Sequence, residues 1–261
     1  MKDVMRKLIR WAQAVSDILV PRTCLACGER LLLGERHLCL HCLADMPLTY
    51  FWNRKHNRMA DKFNDILQKH MDLGQMAFEP YVFACSLFFY SNDARYRLIL
   101  YDLKYNGNTD IGIFFSRRLG MRMAGCSWLR DADAIIPVPL HWRRKWSRGY
   151  NQAEIIARGI GQEMGVEVRT DVLFRKRMTK TQTKLSVEEK AENVSGAFDV
   201  TLPEDWLMLN GSLKVRHLIL VDDLFKICAQ AILIKSLKRS LQVWRHLPRP
   251  VIELSLQGHI A

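Results

Sequence analysis

The order of apolar and polar residues predicts an amphipathic helix at the start of the chain, over residues 1–22. In MKDVMRKLIRWAQAVSDILV the apolar residues recur every three or four positions, the period of one helix face. Arg6, Lys7 and Arg10 interrupt the apolar stretch, and no small-residue cleavage site follows, so the pattern is not typical of a signal peptide. We expect the apolar face to pack on the protein; a position at a membrane surface is the less favoured alternative.

From about residue 80 the pattern changes to short apolar runs that alternate with amphipathic stretches. Strand-like runs occupy 82–90, 134–140 and 217–223, and helical spacing occurs at 94–107, 110–124 and 151–165. This alternation predicts an α/β fold, with a mostly parallel sheet and helices on both faces. Ligands of such sheets bind beyond the carboxyl ends of the strands. Two strand ends are therefore candidate ligand-binding positions. They are the PVPL sequence at 137–140 and the pair Asp222 and Asp223.

Four of the seven cysteines form two CxxC pairs that are separated by eleven residues. They are Cys24, Cys27, Cys39 and Cys42. Each CxxC turn directs two thiolates to one point, and two such turns complete a tetrahedral site for zinc. Four protein ligands leave no open coordination position, so we expect a structural zinc ion and not a catalytic one. His37 and His41 lie nearby as alternative ligands, although exposed turn positions are the more ordinary interpretation of both.

Charge and cysteine use narrow the class of protein further. Thirty-nine Lys and Arg residues against 27 Asp and Glu give a net charge of +12, which favours polyanionic partners such as nucleic acid or phosphorylated metabolites. A generally basic protein without such a partner is the alternative.

The odd number of cysteines argues against a disulfide framework and favours a cytoplasmic protein with reduced thiols. No run of eighteen apolar residues occurs, so we predict no membrane span.

Part of the positive charge lies directly after the first strand end, in the sequence HWRRKWSRGYNQ at 141–152. Its basic residues are interleaved with Trp142, Trp146 and Tyr150. A basic, aromatic loop at a strand end suits phosphates or nucleic acid through charge and stacking, and a solvated loop is the alternative. At the second strand end, adjacent aspartates can bind a sugar diol or Mg²⁺, or simply be a solvated terminus.

Several motifs taken together resemble the ComF family of bacterial competence proteins. They are the two CxxC pairs, LKY at 103–105, PVPLHWRRKWSRGYNQAE at 137–154, KTQTKLS at 180–186 with Asn193, and VDD at 221–223. The resemblance runs in order through residues of about 20 to 224, and RGYNQ after PVPL is specific to this group. It implies a double zinc ribbon-like module at 23–48 and a linker or helical segment at 49–79. A type I phosphoribosyltransferase-like domain would occupy 80–261.

The resemblance also implies a binding site for phosphoribosyl pyrophosphate (PRPP) with Mg²⁺. Its pyrophosphate would lie on the loop after the PVP strand, and its ribose hydroxyls on Asp222 and Asp223. The pyrophosphate loop carried over from the family consists of Arg148, Gly149, Tyr150, Asn151 and Gln152.

After Asp223 the sequence departs from the family pattern VDDV-x-TTG-x-T. The family's glycine and threonines wrap the 5′-phosphate with backbone N–H groups and hydroxyls. The matching positions here are Lys226, Ile227, Cys228, Ala229 and Gln230, which lack the hydroxyls and the permissive glycine. Half of the PRPP site is therefore present. Loss of PRPP binding and a shifted reading frame over 224–261 are both compatible with this change.

Three functions remain open from the sequence. The favoured one is an accessory factor in DNA uptake with weak or no catalysis, which contacts single-stranded DNA or DNA-processing competence proteins. The second is an active, Mg²⁺-dependent phosphoribosyltransferase that uses PRPP. The third is a zinc-stabilised nucleic-acid-binding module on an inactive enzyme fold.

Overall fold

A computed structural model describes residues 21–61, 64–65, 82–89, 95–176, 198–201, 203–206, 217–222 and 230–234. Residues 1–20 of the predicted N-terminal helix, the KTQTKLS motif, Asp223 and positions 226–229 of the altered loop lie outside the described residues. The predicted domain boundaries stay predictions.

The described helices are α1 Leu40–Ala44, α2 Arg97–Tyr105, α3 Thr109–Ala124, α4 Ser127–Arg130, α5 Trp142–Arg148 and α6 Gln152–Met164. The strands are β1 Phe83–Cys85, β2 Ala134–Pro137, β3 Leu173–Arg175, β4 Phe198–Val200, β5 Leu218–Asp222 and β6 Gln230–Ile234. Short 3₁₀ turns occupy Phe51–Asn53 and Glu204–Trp206.

Four of these strands form a mixed sheet in the order β1-β6-β5-β2. β2 runs parallel to β5, with Ala134 opposite Leu218 and Pro137 opposite Val221, as the alternating pattern predicts. β6 is antiparallel to both β5 and β1, so the described sheet is mixed and not mostly parallel. Only seven residues separate β5 from β6, whereas a parallel crossover needs about a dozen or more.

The parallel pair forms because both of its strands are continuous apolar runs. Every residue of β2 and of β5 is buried, and strands covered on both faces have this uninterrupted composition. The sheet contact continues one residue past β2, where the Val138 N–H donates to the Val221 carbonyl at 2.7 Å. The carboxyl ends of β2 and β5 therefore lie side by side.

Helix α6 is held between α3 and β2 by small residues that allow close backbone approach. A Cβ added at Gly159 would lie 1.8 Å from Ser116 Oγ on α3, and one added at Gly120 would lie 2.9 Å from the Ile160 carbonyl. On the sheet side, a Cβ at Gly161 would approach the β2 residue Ile135 to 3.5 Å. Because α6 is fixed on both sides, its first turn has a fixed position at the strand ends.

The basic stretch after β2 is a helix, so the predicted loop is wrong in its backbone conformation. His141 caps the start of α5, where its Nδ1 accepts a hydrogen bond from the Arg143 N–H at 3.3 Å. Burial, and then the nearby arginines, lower the pKa of His141, which keeps the imidazole neutral and able to accept that bond. α5 ends at Gly149, whose φ of 80° is in the left-handed region and whose N–H donates to the Lys145 carbonyl.

We expect Gly159→Ala to destabilise the protein by about 1–3 kcal/mol, because the added methyl group overpacks the α3–α6 contact. Urea unfolding of the purified variant measures this loss. Gly125→Ala is the matched control, since its added Cβ would come no closer than 3.4 Å to a neighbouring atom. Equal stability of the two variants would contradict the close packing of α6 on α3.

Candidate metal centre and basic strand-end surface

The four cysteines of the two CxxC pairs converge on one point. Their sulfur atoms all lie within 4.8 Å of one another, and the Sγ atoms of Cys27 and Cys39 are 3.8 Å apart. A tetrahedral zinc site with Zn–S bonds of about 2.3 Å requires sulfur atoms about 3.8 Å apart. The four thiols can therefore hold a metal ion, and the donor set is compatible with structural zinc.

Tight turns place the sulfur atoms. The Cys24 N–H donates to the Glu29 carbonyl at 2.7 Å, and the Gly28 N–H donates to the Cys24 carbonyl at 2.8 Å. Gly28 adopts a φ of 77° to close this turn. In the second pair, Cys39 caps α1, and its Sγ accepts a hydrogen bond from the Cys42 N–H at 3.4 Å. Backbone hydrogen bonds thus stabilise both turns.

The thiols differ in how readily they lose a proton. Burial, reinforced by the neighbouring thiols, raises the pKa of Cys42 to about 12. Burial also acts to raise the pKa of Cys24, but hydrogen bonds from the backbone N–H groups of Cys39, Cys27 and Ala26 outweigh it and lower the pKa to about 7. A cation bound among the four sulfur atoms would stabilise their thiolate forms.

Neither neighbouring histidine belongs to the metal-binding group that the described residues form. His37 instead places its Nε2 3.0 Å from Asp110 Oδ2 on the first turn of α3. Arg36 Nη2 lies 2.8 Å from the same oxygen. Arg36 and His37, which precede the second CxxC pair with one residue between, therefore join the cysteine module to the α/β part of the chain.

A cleft of about 410 Å³ lies at this junction. Its lining residues are Arg22, Thr23, Leu25, Leu31, Arg36, His37, Asp102, Asn108 and Asp110. Much of its polar lining is engaged internally, since Asp102 accepts hydrogen bonds from the amides of Asn106 and Asn108 at 2.7 and 2.6 Å. The Arg36–Asp110 ion pair crosses between the two sides of the junction.

The carboxyl edge of the β2–β5 pair gathers part of the predicted PRPP site. Asp222 is buried at the end of β5, and Asp223 lies outside the described residues. The Asn151 amide donates to the Val138 carbonyl at 3.0 Å, which brings the start of α6 to the same edge. Gln152 is fully buried there, and neither polar atom of its side chain has a hydrogen-bond partner among the described residues.

Two members of the RGYNQ motif already have structural partners. The Tyr150 hydroxyl donates to the Leu103 carbonyl and ties the α5–α6 connection to α2. Asn151 Oδ1 accepts from the Ala153 N–H at 3.2 Å and caps α6. Gly149 supplies the left-handed end of α5, and Arg148 lies over the Tyr105 ring. The pyrophosphate role of this motif stays a prediction.

Helix α5 presents rings and cations to solvent together. Trp142 and Trp146 are one turn apart on α5 and are 62% and 86% exposed. The Arg143 guanidinium lies over the Trp142 ring, 5.1 Å from its centroid. Lys145 is 3.8 Å from Glu154, whereas Arg143 and Arg148 make no salt bridge with any carboxylate in the part of the chain that the structure describes. This surface can bind a polyanion.

A second aromatic pair lies on α2, where Tyr105 belongs to the LKY motif and Tyr101 was not singled out in the sequence. Tyr101 and Tyr105 are 55% and 65% exposed, and their ring centroids are 4.9 Å apart. The Arg148 guanidinium is 5.8 Å from the Tyr105 ring centroid, so the end of α5 adjoins this pair. The signal that could have identified them is their spacing of four residues, which places both on one helix face, while Leu103 between them is buried on another face.

Within the described ranges, no helix combines the length and the apolar character that crossing a bilayer requires.

Several curated relatives share sequence with this chain, among them the following three. The DNA utilization protein YhgH of Escherichia coli O157:H7 is 27% identical over 155 residues, which is 56% of this chain and 64% of the relative. The protein of the same name from Salmonella typhimurium is 27% identical over 158 residues, with the same coverage. Competence protein F of Haemophilus influenzae is 31% identical over 121 residues, which is 44% of this chain and 50% of the relative.

The chain thus spans between half and 64% of the length of these relatives. No family model matches the chain. No solved structure matches it either. The paired CxxC turns, the PVPL–RGYNQ connection and the VDD strand end occur in one chain that also aligns with a Competence protein F. On these grounds the chain is similar to the DNA utilization protein YhgH and to Competence protein F, in agreement with its resemblance to the ComF family.

Proposed function

We propose that this protein is an accessory factor in DNA uptake, with weak or no catalysis, that contacts DNA through the surface of α5. The observation that carries the proposal is a helix of about two turns that exposes two tryptophans among four basic residues. These cations are Arg143, Arg144, Lys145 and Arg148. Phosphate groups are the partners that such a concentration of guanidinium and ammonium groups selects.

The names of the relatives support a role in DNA uptake. They describe DNA utilization and competence, both of which require a protein to handle DNA. The net charge of +12 agrees, because a strongly basic protein attracts nucleic acid over distances longer than direct contact. The proposal covers the third function from the sequence as well, since an inactive enzyme fold that binds DNA would use the same surface.

Zinc is the metal that we propose for the four-cysteine group. Soft thiolates in a tetrahedral arrangement suit zinc, and four of them leave no coordination position for water. Its role would be structural, because the second CxxC pair begins two residues after His37, and both Arg36 and His37 contact Asp110. Zinc would thus hold the segment that joins the cysteine module to α3.

We expect the wild-type protein to carry one zinc ion per chain and Cys24→Ser to lose it, because three thiolates and a hydroxyl form a weaker site. Elemental analysis of the purified proteins measures the content, and the unfolding temperature should fall with it. Cys126→Ser is the control, since Cys126 lies outside the cluster and its Sγ donates to the Arg122 carbonyl at 3.3 Å. Wild-type protein without zinc would refute the assignment.

Removing two α5 cations should weaken DNA binding and its salt dependence together. For the double variant Arg143→Gln and Arg148→Gln, the slope of log affinity against log salt should become shallower by about 0.7 for each single-strand phosphate that the variant no longer neutralises. Fluorescence anisotropy with a labelled oligonucleotide measures both quantities. Arg130→Gln on α4 is a control that removes one positive charge outside this helix, since Arg130 is exposed and lies beside Asp131. Absence of DNA binding at low salt would refute the proposed function.

PRPP binding is the second candidate function, and one observation favours it. Buried Asp222, the first turn of α6 and the unpartnered amide of Gln152 lie at one edge of the sheet, where ligands of α/β folds bind. Against it stands the sequence at 226–230, which lacks the threonines and the glycine of the family's phosphate loop. We therefore propose a scaffold with a reduced capacity for PRPP.

Calorimetry with PRPP and Mg²⁺ tests this second candidate. We expect little or no binding by the natural sequence, and binding by a variant with Lys226→Thr, Ile227→Thr, Cys228→Gly and Gln230→Thr, because hydroxyl and backbone donors are then restored. Asp223→Asn in the restored background should weaken the affinity again. If that change had no effect, the aspartates would not hold the ribose. Tight binding of PRPP by the natural sequence would favour an enzymatic role over the accessory role in DNA uptake.

A further inference from the structure

We infer that helix α3 carries a binding site for an acidic peptide segment of a partner protein, whose carboxylates bind the guanidinium groups of Arg118 and Arg122. The two arginines are four residues apart and partly buried, so they lie on one face of α3. We call them, with the Phe114 and Trp52 rings that they cover, the arginine site. Its residues belong to neither the metal centre nor the strand-end surface, and the inference does not rest on the proposed function.

Aromatic rings hold both guanidinium groups in place. The Arg118 guanidinium lies 3.6 Å from the centroid of the Phe114 ring, and the Arg122 guanidinium lies 5.3 Å from that of the Trp52 ring. Each group also donates a hydrogen bond to the carbonyl four residues earlier, at 3.2 Å for Arg118 and 2.9 Å for Arg122. Because these contacts order two otherwise flexible side chains, less conformational entropy is lost when a ligand binds.

The positive charge of the arginine site has no counter-charge of its own. Neither Arg118 nor Arg122 makes a salt bridge with a carboxylate in the ranges that the structure describes, whereas the adjacent Arg117 pairs with Glu163. Burial, and then the nearby Arg122, lower the pKa of Arg118, and like charges four residues apart on a helix repel each other. Bound carboxylates would relieve this repulsion and accept hydrogen bonds from the remaining guanidinium N–H groups.

The segment that follows Trp52 adds further cations beside this site. Asn53 Oδ1 lies 3.7 Å from the sulfur atom of Cys126, just after α3. The amide of buried Asn57 donates to the Ala84 carbonyl at 2.8 Å and fixes the segment on β1. Within the described part of the chain, three exposed residues of this segment make no salt bridge; they are Arg54, Lys55 and Arg58. A peptide with several carboxylates could therefore contact cations on both elements.

Unusual backbone conformations adjoin the arginine site at two positions. Tyr50 has a φ of 56° and His37 a φ of 62°, and they are the non-glycine residues with a positive φ among those that the structure describes. The Tyr50 ring is 5.3 Å from that of Trp52, and the His37 ring is 5.1 Å from that of Phe114. Left-handed backbone is unfavourable for such residues and recurs at ligand-binding positions. Tyr50 is 55% exposed and can contact an apolar side chain of the peptide.

An acidic peptide fits the arginine site better than a nucleic acid does. Proteins that bind single strands offer open rings on which bases stack. Here Arg118 covers the Phe114 ring, and Trp52 is buried beneath Arg122. Arginine is more weakly hydrated than lysine, binds carboxylates through two parallel hydrogen bonds, and is enriched with aromatic residues at protein interfaces. We therefore assign this site to contact with a protein.

The probe is a fluorescein-labelled oligoglutamate peptide, and fluorescence anisotropy at low salt measures its affinity. We expect Arg118→Gln with Arg122→Gln to weaken binding about 10-fold, because two ion pairs at a partly buried surface are lost. Arg118→Lys with Arg122→Lys retains the charge but removes the planar fork, and should weaken binding about 3-fold. Arg97→Gln with Arg158→Gln, at exposed positions of α2 and α6, is the charge-matched control and should bind like wild type.

Three results would overturn the inference. The first is wild-type affinity in the glutamine or the lysine variant, and the second is an equal loss in the control, since the peptide would then respond to net charge alone. The third is displacement of the peptide by oligothymidine whose own affinity falls by the same factor in the glutamine variant, because the site would then bind nucleic acid. Circular dichroism checks the fold of each variant, and where the glutamine variant unfolds, the lysine variant decides.

Discussion

Close packing of α6 between α3 and β2 determines where the candidate functional groups lie. Gly159 and Gly161 let the helix approach its neighbours on two sides. Because close-packed interiors have low compressibility, these contacts fix the position of the helix. The first turn of α6 is consequently fixed at the carboxyl edge of the parallel strand pair, where Asn151 caps the helix and binds the Val138 carbonyl. Helix α5, with its exposed rings, precedes this fixed turn in the chain.

The cysteine module is attached to the same framework by electrostatics as well as by packing. Asp110, on the first turn of α3, is within hydrogen-bond distance of both Arg36 and His37, and a carboxylate at a helix N-terminus is favoured by the helix dipole. Tyr96 adds a hydrogen bond from its hydroxyl to the Cys42 carbonyl at 2.9 Å. Both α2 and α3 are thereby linked to the metal-binding turns.

Local sequence signals predicted those parts of the structure that depend on local physics. The CxxC spacing identified the four converging thiols, and uninterrupted apolar runs identified β2 and β5. Gly165 ends α6 in the left-handed conformation, at the residue where the predicted helix stops. The antiparallel direction of β6 was missed because it follows from the short distance along the chain to β5, and the sequence pattern of a buried strand does not show its direction.

The misassigned features depend on contacts between residues far apart in the sequence or on unusual caps. Helix α5 begins at a histidine, which is not among the favoured N-cap residues, and its cap works because the buried ring stays neutral. The exposure of Tyr101 and Tyr105 depends on which face of α2 meets the core. His37 was expected to be an exposed turn residue, with a metal ligand as the alternative. It is partly buried, and its contact with Asp110 connects positions too distant in the chain for periodicity to reveal.

The unequal exposure of the four thiols has a kinetic consequence. Cys24, Cys39 and Cys42 are buried, whereas Cys27 is exposed to solvent. An incoming ligand can therefore approach a bound ion from one side only, and exchange would begin by replacing the bond to Cys27 while the other three still hold the ion. Cys27 would thus be the position at which other thiol donors could compete for the ion.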